Sequence, residues 1–289
     1  MNARNFSDLT EGVLEAVGVG VEMPGKTLLR NTSACFNAGQ VTAILGPNGA
    51  GKSTLLSLLT GQREPVNGLV RLGGQPLAAH PRERLARVRA CVAQETQVAF
   101  DFTVQEVVEL GRYPHRRHPS RQEAHIVAQA MQATAVDHLA KRALNTLSGG
   151  EKARAHLARA LAQVWEPMVG IAGQSQTRWL LLDEPTAALD LQHQHRMLQL
   201  VRDWAVGQGV GVVAVLHDLN LALRYSDRCV VLQEGEVVAG GASAQVLTPE
   251  CIAQVWGVRA QAVPIQDGAA PCHQYVFGPS TLFEGQISL

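Results

Sequence analysis

A glycine-rich segment with a single lysine, Gly46–Thr54, carries the clearest chemistry in this sequence. It reads GPNGAGKST and lies between an apolar run, Gln40–Leu45, and a run with helical character, Ser53–Thr60. Glycines let the backbone wrap closely around a phosphate group, so that successive N–H groups point inward. The Lys52 ammonium would contact the β- and γ-phosphates of a nucleotide, and the Ser53 hydroxyl would ligate Mg²⁺. The pattern G-x-x-x-x-G-K-[ST] therefore predicts a phosphate-binding loop made of Gly46, Pro47, Asn48, Gly49, Ala50, Gly51, Lys52, Ser53 and Thr54.

Two adjacent carboxylates end the apolar run Trp179–Leu182. A buried strand that ends in Asp183 and Glu184 can place both acids beside the phosphate loop, at the same edge of a parallel sheet. We expect Asp183 to hold Mg²⁺, usually through water, and Glu184 to orient or deprotonate an attacking water. Two solvated acids at a strand end are the alternative. His217 ends the next apolar run, Val210–Leu216, where a histidine is more often packed or solvated.

A second candidate anion site precedes the helical run that follows Glu151. The segment Leu147–Glu151 reads LSGGE, so Ser148, Gly149 and Gly150 lie at a helix N-terminus with exposed N–H groups. One chain cannot easily bring this site onto its own phosphate loop and still use both. Two chains packed head to tail can do so, each closing the other's nucleotide. Taken alone, the segment is more typical of an ordinary capped helix start.

The elements that must position these residues alternate between strands and helices. Such alternation predicts a mostly parallel sheet with helices on both faces, and ligands bind at the carboxyl ends of its strands. The stretch from Thr103 to about Gln163 is predicted to be mostly helical. Arg228–Ala239 is predicted to form a hairpin that turns near Glu234–Gly235. Beyond Trp256 the tail is expected to be irregular.

The length and composition of the chain limit the classes of function that it can have. The chain has 289 residues with 25 basic and 25 acidic side chains, and this zero net charge argues against a nucleic-acid partner. The five cysteines show no CxxC spacing and are expected to be thiols in a reducing cytosol. The polar N-terminus predicts no secretory signal, and no apolar run approaches the roughly 20 residues needed to span a bilayer. Any membrane role is therefore expected to come through a partner.

Taken together, the motifs resemble those of ABC-transporter ATPases over residues 13–257. GPNGAGKST resembles the Walker A motif, LSGGE the ABC signature, and WLLLDEP the Walker B motif with Glu184 as its catalytic glutamate. Ala188–Asp190 (ALD) resembles the D-loop, and His217 resembles the switch histidine that reaches the γ-phosphate. Gln94, in CVAQET, matches the glutamine that links Mg²⁺ and water to the membrane partner in this family.

The resemblance implies an α/β fold with a P-loop NTPase core and a parallel sheet. It also implies an N-terminal antiparallel β subdomain and a helical subdomain at about residues 95–163, with a tail of unassigned role at residues 258–289. ATP and Mg²⁺ are the implied cofactors. The implied metal contacts are Ser53, Gln94 and Asp183. The implied catalytic residues are Glu184, His217 and Gln94. Further implied ATP contacts are Ser148, Gly149, Gly150 and Asp190.

The resemblance also implies partners and a cargo class. It implies a homodimer bound to a separate permease dimer at the cytoplasmic face of the cell inner membrane, served by a periplasmic substrate-binding protein, with no nucleic acid. Val104–His115 (VQEVVELGRYPH) resembles ATPases that drive import of ferric siderophores, vitamin B12 or hemin. The long segment Gln163–Arg178 and the run Ala188–Leu198 (ALDLQHQHRML) favour the hemin-import subgroup. A siderophore or B12 importer, or a soluble non-transport ABC ATPase, remains as an alternative.

Three details qualify the resemblance. Met23 stands near the position where the family often has an aromatic residue that stacks on adenine, so adenine stacking is expected to be weak or apolar only. His193 and His195 lie two positions apart on a predicted helix and do not face one another, which disfavours a metal or heme site. The basic run 115–118 is expected to be a solvated surface, with contact to a membrane subunit or to lipid headgroups as the alternative.

Overall fold

The computed structural model describes residues 12–93, 101–168, 176–265 and 272–279. Its strands are β1 (Val13–Met23), β2 (Lys26–Asn37), β3 (Val41–Leu45), β4 (Asn67–Leu72), β5 (Gln75–Pro76), β6 (Arg89–Val92), β7 (Trp179–Asp183), β8 (Gly211–Val215), β9 (Arg228–Gln233), β10 (Glu236–Ala242), β11 (Arg259–Ile265) and β12 (Cys272–Gly278). Its helices are α1 (Lys52–Leu59), α2 (Arg82–Val88), α3 (Val104–Leu110), α4 (Glu123–Ala133), α5 (Gly149–Gln163), α6 (Leu191–Gln208), α7 (Leu219–Tyr225), α8 (Ser243–Val246) and α9 (Pro249–Trp256).

A six-stranded sheet forms the centre of the fold, in the order β10-β9-β3-β8-β7-β6. All neighbouring strands are parallel except β10, which runs antiparallel to β9. The short apolar segments of β3 and β8 are buried along their whole length, as expected for strands covered on both faces. The phosphate loop, the acid pair and His217 each follow a strand of this sheet, so the sequence prediction of their common edge is confirmed.

A second sheet, in the order β2-β1-β4-β5, is antiparallel and lies at the N-terminal side of the chain. It shares a hydrophobic cluster with α1 and the central sheet, in which Leu14, Phe36, Leu55 and Trp179 are fully buried. The predicted antiparallel β subdomain beside a P-loop core is thus observed, and this cluster fixes α1 against both sheets.

The stretch from Thr103 to Gln163 is mostly helical, as predicted, with 3-10 turns between α3, α4 and α5. These three helices pack on one another through buried side chains that include Val108, Ile126 and Leu157. Helix α5 also packs against β6 at the edge of the central sheet. The helical part and the sheet therefore share one continuous core.

The C-terminal region corrects one prediction. The hairpin of β9 and β10 turns at Glu234–Gly235 as expected. In the described part of the tail beyond Trp256, β11 and β12 form a second antiparallel hairpin, so the expectation of irregular structure is wrong there. This hairpin escaped the sequence analysis because most of β11 is exposed and Pro264 interrupts its pattern. No helix in the described ranges combines the length and the apolar character that a membrane span requires.

Candidate functional site

The phosphate loop curls around its own lysine. The Nζ of Lys52, a buried residue at the start of α1, donates hydrogen bonds to the carbonyl oxygens of Gly46 at 2.8 Å and Pro47 at 2.9 Å. Burial lowers the pKa of Lys52, and the carboxylates of Glu184 and Asp183 oppose that shift. The ammonium therefore lies where the loop, α1 and the acid pair meet.

Two glycines give the loop its shape. At Gly46, with φ of 144°, an added Cβ would lie 2.0 Å from the carbonyl oxygen of Leu232. At Gly51, with φ of 100°, it would lie 2.8 Å from the carbonyl oxygen of Leu28. Both obstacles are backbone atoms, which cannot move aside as a flexible side chain can, so only glycine fits at these two positions.

The turn between β9 and β10 supports the loop from behind. The Gly235 N–H donates to the Ala50 carbonyl at 3.1 Å. The Gly235 carbonyl accepts from the Arg30 N–H at 2.8 Å and from the Thr32 hydroxyl at 2.8 Å. The sequence predicted this turn but not its contact with the phosphate loop, because the partners of the turn come from distant parts of the chain.

The acid pair and the histidine converge beside the loop. Asp183 Oδ1 accepts a hydrogen bond from the Ser53 hydroxyl at 3.0 Å. Glu184 Oε1 lies 2.7 Å from Nε2 of His217. Burial raises the pKa of Asp183; the Ser53 hydrogen bond opposes this rise and the Glu184 charge adds to it. Side chains from three different strand ends thus form one polar cluster.

Glu184 occupies a strained backbone position. Its φ of 48° lies in the left-handed region, which residues other than glycine rarely adopt. Its carbonyl accepts from the Ala187 N–H at 3.2 Å, so a turn begins directly where β7 ends. Such strain often accompanies functional side chains, and here it directs the carboxylate of Glu184 toward His217.

The oxygen donors at the loop suit a hard cation. A serine hydroxyl and a carboxylate in contact, such as Ser53 and Asp183, are ligand types that Mg²⁺ accepts together with phosphate oxygens and water. Within the described part of the chain, no group of three or more histidine, cysteine, aspartate or glutamate side chains forms a metal-binding cluster. The arrangement therefore fits a metal ion that is shared with a bound nucleotide.

The LSGGE segment begins α5 with a capping box. The Glu151 carboxylate accepts from the Ser148 N–H at 2.8 Å and from its hydroxyl at 2.9 Å, and the Ser148 Oγ accepts from the Glu151 N–H at 3.3 Å. An added Cβ at Gly150 would lie 3.2 Å from the Ala188 carbonyl oxygen, so the segment packs closely on the ALD run. No hydrogen bond or ion pair between described residues joins Leu147–Glu151 to the phosphate loop of the same chain.

Asp190 caps the next helix, α6. Its Oδ1 accepts from the His193 N–H at 2.9 Å and lies 2.8 Å from His193 Nδ1. His195 has a separate partner, since its Nδ1 lies 2.7 Å from the Tyr225 hydroxyl. The two histidines therefore face different neighbours. Met23, at the end of β1, is half exposed, and Gln94 lies outside the described residues.

The segment that contains GRYPH (residues 111–115) caps the C-terminus of α5. Arg112 donates to the Ala162 carbonyl at 2.8 Å, and His115 Nε2 lies 2.8 Å from the Gln163 carbonyl oxygen. Burial lowers the pKa of His115. The expectation of a solvated basic surface is wrong for this histidine, because the end of α5 covers it.

The phosphate loop, the acid pair and the histidine at adjacent parallel strand ends define a P-loop nucleoside triphosphatase. The family model described as ABC transporter matches residues 29–187, which is more than half of the chain. The chain belongs to the ABC transporter family and is its ATP-binding, ATP-hydrolysing subunit.

Curated relatives and solved structures agree with this assignment. The chain is 47% identical over 248 residues to the hemin import ATP-binding protein HmuV of Gloeobacter violaceus, covering 86% of this chain and 88% of that protein. It is 45% identical over 272 residues to the protein of the same name from Burkholderia pseudomallei, covering 90% and 98%. A chain of an inward-facing metal-chelate type ABC transporter superposes with a TM-score of 0.76 at 26% identity, covering 94% and 100%. A dimeric bacterial ABC transporter cassette superposes with a TM-score of 0.69 at 26% identity, covering 80% and 98%.

Proposed function

We propose that this chain hydrolyses ATP to energise the import of hemin through a separate membrane permease. The observation that carries the cargo is the similarity, at 45–47% identity over most of both chains, to proteins named for hemin import. The resemblance of Val104–His115 and of Ala188–Leu198 to metal-chelate and hemin importers supports the same cargo.

In the proposed site, the phosphate loop binds ATP and the Lys52 ammonium contacts the β- and γ-phosphates. Ser53 and Asp183 would hold Mg²⁺, with Gln94 as the further proposed ligand. When bound, the metal ion neutralises charge on the phosphate oxygens. The Ser53–Asp183 contact of 3.0 Å supports this assignment, because it places both oxygen donors beside the loop lysine.

Glu184 and His217, which lie beside the phosphate loop, are the residues proposed to hydrolyse ATP. Glu184 takes a proton from the attacking water as the water oxygen bonds to the γ-phosphorus and the bond to the β-phosphate oxygen breaks. His217 donates a hydrogen bond to the γ-phosphate, where negative charge develops. The contact of 2.7 Å between these side chains supports their action on one reacting group.

Two copies of the chain are proposed to close over two ATP molecules. Ser148, Gly149 and Gly150, with Asp190, would contact the nucleotide held by the partner copy. The start of α5 supports this arrangement, since Ser148 and Gly149 are exposed there and a helix N-terminus favours an anion. The complete system would also contain a permease dimer and a periplasmic substrate-binding protein, at the cytoplasmic face of the inner membrane.

A groove lined in part by Ala93, the residue that precedes Gln94 in the sequence, is the proposed contact with the permease. It has a cavity volume of about 940 Å³ and its lining includes Arg89, Ala93, Arg159 and Gln163.

The proposed domain division follows the family pattern. Residues 13–257 would form the nucleotide-binding domain, with a helical subdomain at about residues 95–163. Residues 258–289 would follow as a C-terminal addition.

The test is to introduce a Glu184 substitution into this chain in the source organism and to measure growth. Glu184→Gln should keep ATP binding but slow hydrolysis by at least about 100-fold, so growth on hemin as the only iron source should be lost. Glu109→Gln, an exposed glutamate on α3, serves as the matched control. Loss of growth on a ferric siderophore, with growth on hemin retained, would reject hemin as the cargo. A chain that fractionates with membranes when its permease is absent would count against the permease as its anchor.

A further inference from the structure

The C-terminal hairpin, β11 and β12, is joined to the segment that carries the switch histidine. The side-chain amide of Asn220, in the first turn of α7, pairs with the backbone of Tyr275 in β12. Its Nδ2 donates to the Tyr275 carbonyl at 3.0 Å, and its Oδ1 accepts from the Tyr275 N–H at 2.7 Å. The amide thus binds both polar groups of one strand residue, across 55 positions of sequence.

Tyr275 is itself held at its other end. It is 5% exposed, and its hydroxyl donates to the carbonyl of Leu247 at 2.6 Å and lies 3.1 Å from Nε2 of His273. A buried tyrosine that is fixed at both its ring tip and its backbone is a rigid anchor. The position of Asn220 is therefore set by the hairpin and by the segment between α8 and α9.

Only a short piece of chain separates this anchor from His217. The strand β8 ends at Val215, and α7 begins at Leu219. The carboxylate of Asp218 caps α7 by accepting from the N–H groups of Asn220 at 2.8 Å and Leu221 at 2.9 Å. Because the cap leaves little freedom between helix and histidine, the orientation of α7 determines where the His217 ring lies.

The far end of α7 is fixed independently. The Tyr225 carbonyl accepts from Arg202 at 3.1 Å, and the Tyr225 hydroxyl lies 2.7 Å from His195, both on α6. Among these contacts between α7 and other described elements, the Asn220 pairing therefore lies closest in sequence to His217. It acts on the turn of α7 that follows the histidine.

We propose that Asn220 and Tyr275 are positioning residues that hold His217 in register with Glu184, which gives the C-terminal hairpin a role in ATP hydrolysis. The inference rests on the proposed role of His217. Neither residue touches the nucleotide in this proposal. Loss of the pairing should lower kcat without weakening ATP binding, because the phosphate loop lies on a different strand.

The test measures steady-state ATP hydrolysis by the full chain. Asn220→Ala should lower kcat about tenfold while KM for ATP stays within about twofold. Tyr275→Phe, which keeps the backbone pairing but loses the Leu247 bond, should lower kcat about threefold and serves if Asn220→Ala does not fold. Val276→Ala, an exposed neighbour on β12, is the matched control and should leave both constants unchanged. An unchanged kcat, or a fall in kcat matched by a rise in KM, would overturn the proposal.

Asn220→Asp adds a readout that a purely structural role would not give. Its carboxylate accepts from the Tyr275 N–H but repels the Tyr275 carbonyl, whereas the protonated acid can bond to both. The ratio of the Asn220→Asp kcat to the wild-type kcat should rise as the pH falls. A ratio that does not change with pH would count against the positioning role of the Asn220–Tyr275 pairing. His217→Ala separates the two hypotheses. Wild-type turnover in His217→Ala would reject the role of His217. Lost turnover in His217→Ala together with normal turnover in Asn220→Ala would reject only the positioning role of the Asn220–Tyr275 pairing.

Discussion

At the scale of single residues, the lysine of the phosphate loop connects both sides of the site. Its two hydrogen bonds to Gly46 and Pro47 keep the loop closed, and the charges of Asp183 and Glu184 favour its protonated form. One ammonium therefore balances two carboxylates that would otherwise repel one another. A phosphate group binds most strongly where such a charge is already in place.

This arrangement predicts the effect of removing the Lys52 charge. Lys52→Ala should weaken ATP binding by at least about 100-fold, because a charge-assisted contact to phosphate is lost and two carboxylates are left without their counter-charge. The measurement is an ATP titration of the purified chain. Lys141→Ala, an exposed lysine outside the site, should bind ATP as the wild type does. Equal affinities for ATP in the two variants would refute the assigned role of Lys52.

Residue-scale prediction was possible where a motif also fixes the place of a residue in the sheet. The GPNGAGKST motif and the WLLLD strand put Ser53 and Asp183 at the carboxyl ends of parallel strands, and these two side chains are in contact there although 130 positions separate them. Gly235 and Tyr275 were not predicted as parts of the site. Their contacts to Ala50 and Asn220 depend on packing between segments that are far apart in sequence.

At the scale of elements, basic side chains cap the C-terminal ends of the two helices whose starts are proposed to bind phosphate. Arg89 donates to the last carbonyls of α1, those of Leu59 and Thr60, both at 2.7 Å. Arg112 and His115 do the same for α5. The helix dipole favours a positive group at a helix C-terminus, so the Arg89 and Arg112 guanidinium groups stabilise these two helices.

The Arg112 cap predicts a pH dependence of stability. The pKa of Glu123 is held below its ordinary value, first by the hydrogen bonds from Arg112 and also by the Ser120 N–H. Ionised Glu123 therefore stabilises the fold above the ordinary glutamate pKa of 4.5, and this contribution is lost as the pH falls through the lower folded-state value. Glu123→Gln should lower the free energy of unfolding by about 1 kcal/mol near neutral pH, since Glu123 is still partly in water.

Urea unfolding at a series of pH values checks this result. The curves of Glu123→Gln and of the wild type should converge in acid. Glu64→Gln, at an exposed glutamate, should follow the wild type at every pH. A difference between Glu123→Gln and the wild type that stays constant across the series would show that shape, not charge, is responsible.

At the scale of the whole molecule, the start of α5 is the surface proposed to meet a second copy of the chain. The chain contains a matched helix start for comparison. Thr103 and Glu106 form the same capping box on α3, with the Glu106 carboxylate accepting from the Thr103 N–H at 2.7 Å and from its hydroxyl at 2.8 Å. Ser148 has the same local environment but a different proposed function.

The two capping boxes predict that their substitutions will have separable effects on folding stability and on ATP-dependent pairing of two copies. Ser148→Ala and Thr103→Ala should each lower the free energy of unfolding by about 1 kcal/mol, because each removes one N-cap hydroxyl. Only Ser148→Ala should weaken ATP-dependent pairing, measured by sedimentation in a Glu184→Gln background with ATP. Equal pairing by both variants would mean that the Ser148 hydroxyl does not act across the interface.

The order of strands has a consequence for how the protein is made. The strand β3, which leads into the phosphate loop, is completed early in synthesis but pairs with β8 and β9, which belong to the last part of the chain. At about 5–20 residues per second, the ribosome leaves both edges of β3 unpaired for many seconds. A nascent chain that has not reached Gly211 contains every residue of the loop but lacks the strands that hold β3 in place. Nucleotide binding should therefore arise only after β8 and β9 have been made, and until then this apolar strand is a target for chaperones.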